Sequence, residues 1–272
     1  MLVVGRFQYL QAAVDSVRQQ TQSSWELLIV QDGHNLAVRE FIEKHFQGDP
    51  RIRYYYRGKL GTVSEASNFA LAQARGEFCA ILDDDDIWSD SQKLERQVAF
   101  LRANPDFVAC GTGGLIIDQE DQLRSSFTKE ASWEKLRRNA LLANPIANSS
   151  SMFRRATALA IGGYDSSYPV CQDWEFWLRM GLQGKLSNLP EFCIKYRLTP
   201  NNASATKHSE NAAFALKVVR RHKGEYPRAF LGYAFALGYF LYGMMPKFLR
   251  SRCFPAISTF KKKLFSGSSK SA

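Results

Sequence analysis

The sequence predicts an α/β protein with a mostly parallel sheet, a mixed second half and helices toward the C-terminal end. Two observations lead to this fold class. Up to about residue 106, short apolar runs alternate with helical patterns of about 10–15 residues, which is typical of βαβ units and a parallel sheet. From Phe107 onward the strand candidates are short, and one strongly aromatic helix, 172–183, lies among them.

The elements of the first half follow from hydrophobic periodicity. The predicted strands are 25–30, 52–56 and 78–82. A helix is predicted over 8–20, before the first strand, and another over 64–74, between the second and the third. Two further helices have one apolar face, formed by Val38, Phe41, Ile42 and Phe46 in the first and by Leu94, Val98 and Leu101 in the second. Ser89 and Gln92 have the spacing of a capping box that would open the second of these helices.

The second half gives shorter elements and a natural division of the chain. Strand candidates are 107–110, 115–117, 150–153 and 192–197. We therefore predict one domain over 1–205, with a first half (1–106) and a mixed second half (107–205). A helical extension over 206–265 follows, and the Ser/Lys-rich residues 266–272 are expected to be disordered.

Charge and cysteine content restrict the function classes. The 272 residues carry a formal net charge of +10, which suggests an anionic partner such as a nucleotide or a membrane surface. No segment resembles a nucleic-acid-binding module, so no nucleic acid is expected as a partner. The five cysteines are scattered without C-x-x-C spacing, which favours reduced thiols in a cytoplasmic protein.

Four consecutive carboxylates, Asp83–Asp86, follow directly after the apolar run 78–82. In open α/β sheets, ligands bind in the crevice outside the carboxyl ends of the strands. Adjacent like charges raise one another's pKa unless a cation compensates them, and a hard divalent cation such as Mg²⁺ takes oxygen ligands of this kind. The alternative is a solvated acidic turn that caps the next helix.

Two other places combine acidic residues with strand or helix ends. Asp32 follows the strand 25–30, and Asp173 lies near the start of the aromatic helix, where the helix dipole favours a negative charge. Trp174 and Trp177 flank this position. Composition leaves two interpretations open for both rings, either core packing or contact with the apolar face of a sugar.

Eight segments of this chain, taken in order, resemble the family 2 glycosyltransferases, which have the GT-A nucleotide-sugar fold. They are YLQAAVDSVRQQ (9–20), ELLIVQDGH (26–34), GTVSEASNFAL (61–71), GEFCAILDDDDIW (76–88), KLERQV (93–98), GGYD (162–165), QDWEFWLR (172–179) and KYR (195–197). The resemblance runs from about Phe7 to Arg197. It implies a glycosyltransferase of the EC 2.4 class that uses a nucleotide-diphosphate sugar donor and inverts the anomeric centre.

The resemblance also implies roles for particular residues. Asp83 and Asp85 match a D-x-D motif that contacts the ribose and binds Mn²⁺ or Mg²⁺, and Asp173 matches the general base that deprotonates the acceptor hydroxyl. Residues 1–106 would then form the nucleotide-binding half and residues 107–205 the acceptor half of a catalytic domain, with Trp174 and Trp177 on the acceptor side. The acceptor is expected to be a glycan or a lipid-linked sugar, as in cell-envelope polysaccharide biosynthesis.

Four other positions are assigned to the donor by the resemblance. Gln31 and Asp32 match the nucleoside-binding acidic pair, and Asn68 matches a residue that lines the donor site. Arg197 matches a Y-R motif whose guanidinium would add a positive charge at the phosphates. For Arg197 the residues leave an alternative open, namely a pairing with a nearby acid.

The sequence departs from the family pattern mainly at its start. The family's first strand and P-x-Y-N turn are not found before Phe7, where the chain has only Leu2–Gly5. We expect either a true start further upstream, which is the favoured interpretation, or an impaired donor site in a non-catalytic relative that binds a nucleotide or a partner. A nucleotidyltransferase is disfavoured because Val4–Arg6 is too short for a glycine-rich phosphate loop. Gln31 and Gln172 replace acids of the family pattern.

The segment 229–246 has no charged residue and is flanked by basic residues. Three interpretations compete: a helix packed on the catalytic domain, an interfacial helix held to anionic lipid, and a membrane span. Basic clusters beside an aromatic helix favour the surface of a membrane. The predicted location is therefore cytoplasmic and peripheral, at the inner face of the membrane.

Overall fold

A small parallel sheet forms the start of the chain in the computed structural model, which describes residues 1–3, 7–46, 48–56, 58, 61–199 and 208–245. Its strands, in the order β1-β2-β3, are β1 (Leu2–Val3), β2 (Leu27–Gln31) and β3 (Ile52–Tyr56). All five residues of β2 are buried, as expected for a parallel strand with neighbours on both sides. The predicted parallel sheet is therefore confirmed.

Four helices accompany the strands of the first half. They are α1 (Phe7–Arg18), α2 (Leu36–Phe46), α3 (Val63–Gln73) and α4 (Lys93–Ala103). The sequence reasoning missed the start signal of α3: Thr62 and Glu65 form a reciprocal capping box. The capping box predicted for α4 is wrong, because this helix begins at Lys93 and the Gln92 side chain makes no cap hydrogen bond.

The second sheet is mixed and carries the carboxylate-rich loop. Its strands are β4 (Phe78–Ala80), β5 (Ile87–Trp88), β6 (Phe107–Ile117), β7 (Leu123–Phe127), β8 (Met152–Arg154) and β9 (Lys185–Arg197). They follow the order β4-β8-β6-β9-β5, with β7 on β6, and β6 pairs in parallel with β9 alone. The two predicted strands 107–110 and 115–117 are parts of one continuous strand, β6. The sequence did not reveal this, because the glycines between them carry no apolar side chain.

The helices of the second half include those of the C-terminal extension. They are α5 (Trp133–Asn139), α6 (Arg155–Ala160), α7 (Gln172–Gly181), α8 (His208–His222) and α9 (Ala229–Met244), and a 3₁₀ turn spans Asn148–Ser150. The apolar faces of α8 and α9 share one cluster with Leu178 of α7. Within the described residues, none of the helices is long and apolar enough to cross a membrane. The predicted disordered tail, 266–272, lies outside the described residues.

Two larger apolar clusters hold the sheets together. The first joins α1, α2 and α4 to β2 and includes Leu10, Ile29 and Leu101. The second packs α7 against β6 and β8 and includes Phe153, Phe176 and Trp177. Because α7 is fixed in this second cluster, its N-terminal end is held at a defined position beside the loop that follows β4.

Candidate active site

The predicted carboxylates meet at one end of a cavity of about 1380 Å³. Asp83, Asp84 and Asp85 approach it from the loop after β4, and Asp173 approaches from the start of α7. Lys129 and two asparagines complete this part of the lining. Apolar side chains, among them Leu82, Ile146 and Val170, also line the cavity. Ligand sites combine apolar walls with a few convergent polar groups in this way.

Two groups hold the loop that carries the aspartates: the hydroxyl of Ser149 and the main-chain N–H of the buried residue Arg197, at the end of β9. Ser149 Oγ donates to Asp86 Oδ2 at 2.5 Å, and the Asp83 N–H donates to the same Oγ at 3.2 Å. The Arg197 N–H donates to Asp86 Oδ1 at 2.8 Å. Burial, followed by the negative charge of Asp83, raises the pKa of Asp86 well above its usual range. Asp86 therefore fixes the loop, and its neighbours face the cavity.

Asp83 and Asp85 are the candidate metal ligands of this loop. Both line the cavity, and Asn148 Nδ2 donates to Asp83 Oδ1 at 2.9 Å. Among the described residues, no three His, Cys, Asp or Glu side chains are close enough to hold a metal ion by themselves. A pair of carboxylates that needs further oxygen ligands suits Mg²⁺, which usually binds one or two carboxylates together with substrate phosphates.

Asp173 has the environment of a tunable base. Asn144 Nδ2 donates to Asp173 Oδ2 at 2.6 Å, and the Trp174 N–H donates to Asp173 Oδ1 at 2.8 Å. Burial raises the pKa of Asp173, and the negative charge of Asp83 raises it further. The hydrogen bond from Asn144 and the positive charge of Lys129 act in the opposite direction. A raised pKa makes the ionised carboxylate a stronger base.

Lys129 and Asn144 are site residues that the sequence reasoning missed. Lys129 Nζ donates to the main-chain oxygen of Asn144 at 2.7 Å, so the lysine holds the loop that orients Asp173. Neither residue lies in one of the eight family-like segments. The only signal for Asn144 is the Asn-Pro step to Pro145, which indicates a turn and says nothing about chemistry.

Gln31 lies outside the described lining of the cavity, and its role in binding the nucleoside stays a prediction. Its Nε2 donates to the main-chain oxygens of Gly33 at 3.0 Å and Asn35 at 2.9 Å, and Tyr54 donates to its Oε1 at 2.6 Å. The amide therefore shapes the loop after β2. Asp32, half-buried in this loop, is also outside the lining, and its N–H donates to Val3 O at 3.1 Å.

Asn68 is also outside the described lining of the cavity, and its place on the donor site stays a prediction. Its amide makes a two-way pair with the backbone of Tyr164, donating at 2.8 Å and accepting at 2.7 Å. Gly163 lies beside this pair with φ +69°, and a Cβ there would be 2.2 Å from Asn68 Oδ1. The asparagine thus joins α3 to the G-G-Y-D loop, and only glycine fits beside it.

Arg197 is buried outside the described lining of the cavity, and its guanidinium is hydrogen-bonded to protein acceptors, one of which belongs to the lining residue Asp85. Nε donates to Asp85 O at 2.9 Å, Nη1 donates to Asp118 O at 3.0 Å, and Nη2 donates to Asp121 at 2.7 Å. The direct role at the phosphates stays a prediction. Arg197 supports the backbone of the aspartate loop, and of the two sequence interpretations the pairing with a nearby acid is the one observed.

The two tryptophans have different environments. Trp177 is 0% exposed, and its ring packs edge to face on Phe153 and Phe176, so its predicted place on the acceptor side is wrong. Trp174 lines the cavity next to Asp173, and its Nε1 donates to Ala140 O at 2.7 Å. The core interpretation therefore holds for Trp177, and Trp174 remains the acceptor-side candidate.

Substitution of the two rings should separate these roles. Trp177→Phe should lower the free energy of unfolding by about 1–3 kcal/mol, because it leaves a partly filled space in the core, and should leave the KM for the acceptor unchanged. Trp174→Phe should raise that KM. Denaturant unfolding and steady-state kinetics on both variants provide the check, and an acceptor KM that responds equally to the two changes would contradict the assignment.

Comparisons with known proteins agree with this fold. Residues 1–159 match the family described as Glycosyl transferase family 2. A relative from Escherichia coli, the UDP-Glc:alpha-D-GlcNAc-diphosphoundecaprenol beta-1,3-glucosyltransferase WfgD, is 30% identical over 203 residues, which cover 74% of this chain and 76% of the relative. The molecule is therefore a sugar-transferring enzyme of the EC 2.4 class. The chain belongs to glycosyltransferase family 2, whose members take the sugar from a nucleotide-sugar donor.

Solved structures confirm the GT-A fold. The mannosyltransferase PcManGT from Pyrobaculum calidifontis, solved in complex with GDP-Man and Mn²⁺, superposes with a TM-score of 0.65 at 16% identity, over 98% of this chain and 74% of that one. TarS from S. aureus superposes with a TM-score of 0.59 at 14% identity, over 89% of this chain. This chain spans 42% of the length of TarS.

Proposed function

We propose that this glycosyltransferase moves the sugar of a nucleotide-diphosphate donor to a hydroxyl of a glycan or lipid-linked acceptor, with inversion at the anomeric carbon. The observation that carries the proposal is the convergence of Asp173 with the strand-end carboxylates Asp83 and Asp85 on one cavity. One carboxylate with a raised pKa lies beside two others that suit a cation. Direct displacement of a diphosphate uses these two functions, a base for the attacking hydroxyl and a cation at the leaving group.

The proposed reaction is a single displacement. Asp173 takes the proton of the acceptor hydroxyl while the hydroxyl oxygen attacks the anomeric carbon from the face opposite the leaving group. The bond from that carbon to the diphosphate oxygen breaks, and the electron pair leaves with the nucleoside diphosphate. Asn144 holds Asp173 Oδ2 by its 2.6 Å hydrogen bond and so fixes the direction of the carboxylate. Trp174 offers the acceptor an apolar surface.

The oxygen-only donor set of Asp83 and Asp85 fits Mn²⁺ or Mg²⁺, and we propose these two residues as its ligands. When bound, such an ion would stabilise negative charge on the leaving diphosphate. Arg197 and Asp86 act on the chain itself: together they hold the loop from which both ligands project.

Support for the donor and acceptor classes comes from the similar proteins. WfgD is named for a UDP-glucose donor and a diphosphoundecaprenol-linked acceptor, and PcManGT was solved with GDP-Man and Mn²⁺. For this chain we propose a nucleotide-diphosphate sugar and a lipid-linked or glycan acceptor in cell-envelope polysaccharide synthesis. The proposed location is cytoplasmic, with peripheral attachment at the membrane. The catalytic unit is proposed to span 1–205 and the extension 206–265.

The stereochemistry of the product tests the proposed mechanism. The protein is incubated with each of UDP-glucose, UDP-GlcNAc and GDP-mannose, together with undecaprenyl-diphosphate-linked GlcNAc and Mn²⁺. Proton NMR of the product then reports the anomeric configuration of the new linkage. A β-linked product from an α-linked donor supports direct displacement, whereas retention of the α configuration would contradict it.

The raised pKa of Asp173 predicts a pH dependence of turnover. Only the ionised carboxylate accepts a proton, so kcat should fall as the pH drops through a value above about 3.9, the ordinary pKa of aspartate. Asn144→Ala removes a hydrogen bond that favours the ionised form, and the acid limb should then move to higher pH. Measurement of kcat against pH for both proteins checks this, and an unmoved limb would contradict it.

A further inference from the structure

The C-terminal helix α9 exposes a continuous apolar stripe. Phe230, Leu237, Leu241 and Met244 are 83%, 51%, 53% and 66% exposed. Their separations of seven, four and three residues place all four on one face of the helix. The helix contains no charged residue, so its exposed face is apolar along its whole length.

The opposite face fixes the direction in which the stripe points. Ala236 is buried, and Gly232 lies so close to the backbone of Leu141 that a Cβ would be 3.0 Å from its carbonyl oxygen. The same position approaches Val219 of α8. Since this face is packed on the rest of the protein, the stripe on the other side of α9 faces outward.

The net positive charge of the chain is concentrated in the sequence segment that contains this helix. Residues 206–272 contain thirteen Lys and Arg but only two Glu and no Asp. The remaining residues hold 23 of the 36 basic side chains and 24 of the 26 acidic ones, so the rest of the chain is close to neutral. An apolar stripe within a strongly basic segment is complementary to an anionic lipid surface, in which acyl chains and negative headgroups lie side by side.

The segment that carries the stripe is also bonded to the helix of the proposed base. Tyr226, between α8 and α9, donates its hydroxyl to Leu178 O of α7 at 2.7 Å. Arg221 of α8 contacts the buried Glu175 of α7 at 3.3 Å, and Asn211 of α8 lines the cavity. A surface bound at α9 is therefore connected through α8 to the helix that carries Asp173.

We propose that the stripe Phe230–Leu237–Leu241–Met244 is a lipid-docking surface that lays α9 on an anionic bilayer and presents the cavity to an acceptor held in that bilayer. The presentation of the acceptor rests on the proposed function, whereas the docking itself does not. A helix of 16 residues without charge and with one packed face lies along a surface. The basic residues of the same segment would hold it there through the headgroups.

Vesicle co-sedimentation of the full chain tests the docking without donor or acceptor. The protein should bind phosphatidylcholine vesicles that contain phosphatidylglycerol, bind phosphatidylcholine alone more weakly, and lose affinity as salt is added. Leu237→Gln/Leu241→Gln should weaken binding by at least about tenfold, since it removes two of the apolar side chains that would enter the bilayer. The control Leu123→Gln/Leu159→Gln changes two exposed leucines elsewhere and should bind like the parent protein.

Three results would overturn the proposal. They are failure of the parent protein to bind anionic vesicles, equal binding by the α9 double variant, and equal loss of binding in the control. Sedimentation velocity without lipid adds a fourth: a parent dimer that becomes monomeric in the α9 variant would show that a second copy covers the stripe. Nucleotide titration of the same variants separates these outcomes from failure of the donor site, because the donor site lies in the cavity.

Discussion

Asp173→Asn is expected to lower kcat by about 10²–10⁴-fold, the usual contribution of a positioned general base. The amide is nearly the same size as the carboxylate and can still accept the hydrogen bond from Asn144. It cannot take the proton of the acceptor hydroxyl. The affinity for the nucleoside diphosphate should stay within about twofold of the parent value, because the proposed role of Asp173 is to take the proton of the acceptor. A twofold change is well below the tenfold that corresponds to about 1.4 kcal/mol of binding free energy.

The matched control for this variant is Asp106→Asn, which makes the same change at a surface carboxylate that pairs with Lys185. This control should leave kcat and nucleotide affinity unchanged. Full turnover in Asp173→Asn would remove the base from the account. A variant that loses turnover and nucleotide binding together would show that Asp173 supports the structure of the cavity instead.

Asp85→Asn is expected to weaken nucleoside diphosphate binding in the presence of Mn²⁺ by about 100-fold, which corresponds to about 2.7 kcal/mol. The amide keeps the shape of the side chain but removes the charge that a hard cation requires. The fold should be retained, because the contact from Arg197 to this residue is made to its main-chain oxygen. The contribution of Mn²⁺ to binding should disappear.

Calorimetric titration with and without Mn²⁺ gives the comparison, and Asp106→Asn again serves as the control. If Asp85→Asn and the parent protein bind the nucleotide equally well in Mn²⁺, Asp85 is not a metal ligand. Thermal unfolding of the variant should match the parent, so that a loss of binding can be assigned to the site.

The alternation of apolar runs and helical patterns was sufficient to predict the parallel start of the chain, because the buried strand Leu27–Gln31 is apolar at its first four positions. The strand β6 was harder to predict. Its interior contains Gly111, Gly113 and Gly114, which pack against β9 and its surroundings without apolar side chains of their own. The capping box of α3 was present in the sequence as Thr62 and Glu65 and could have been recognised.

The candidate site was predicted in part because the crevice outside the carboxyl ends of the strands is where open α/β sheets bind ligands. Motif positions alone do not say where a side chain is bonded. Gln31, Asn68 and Arg197 match family positions, yet their polar atoms are hydrogen-bonded to loops beside the cavity. Lys129 and Asn144 come from connections without periodicity, and only the tertiary fold brings them to Asp173.

The central claim is that the carboxylate end of the cavity is a nucleotide-sugar donor site that works with a divalent cation. Calorimetric titration of the purified chain with UDP, GDP and dTDP, each with and without Mn²⁺, tests it most directly. The account predicts that at least one nucleotide binds and that Mn²⁺ strengthens this binding. Binding of none of the three, with or without the metal, would contradict it.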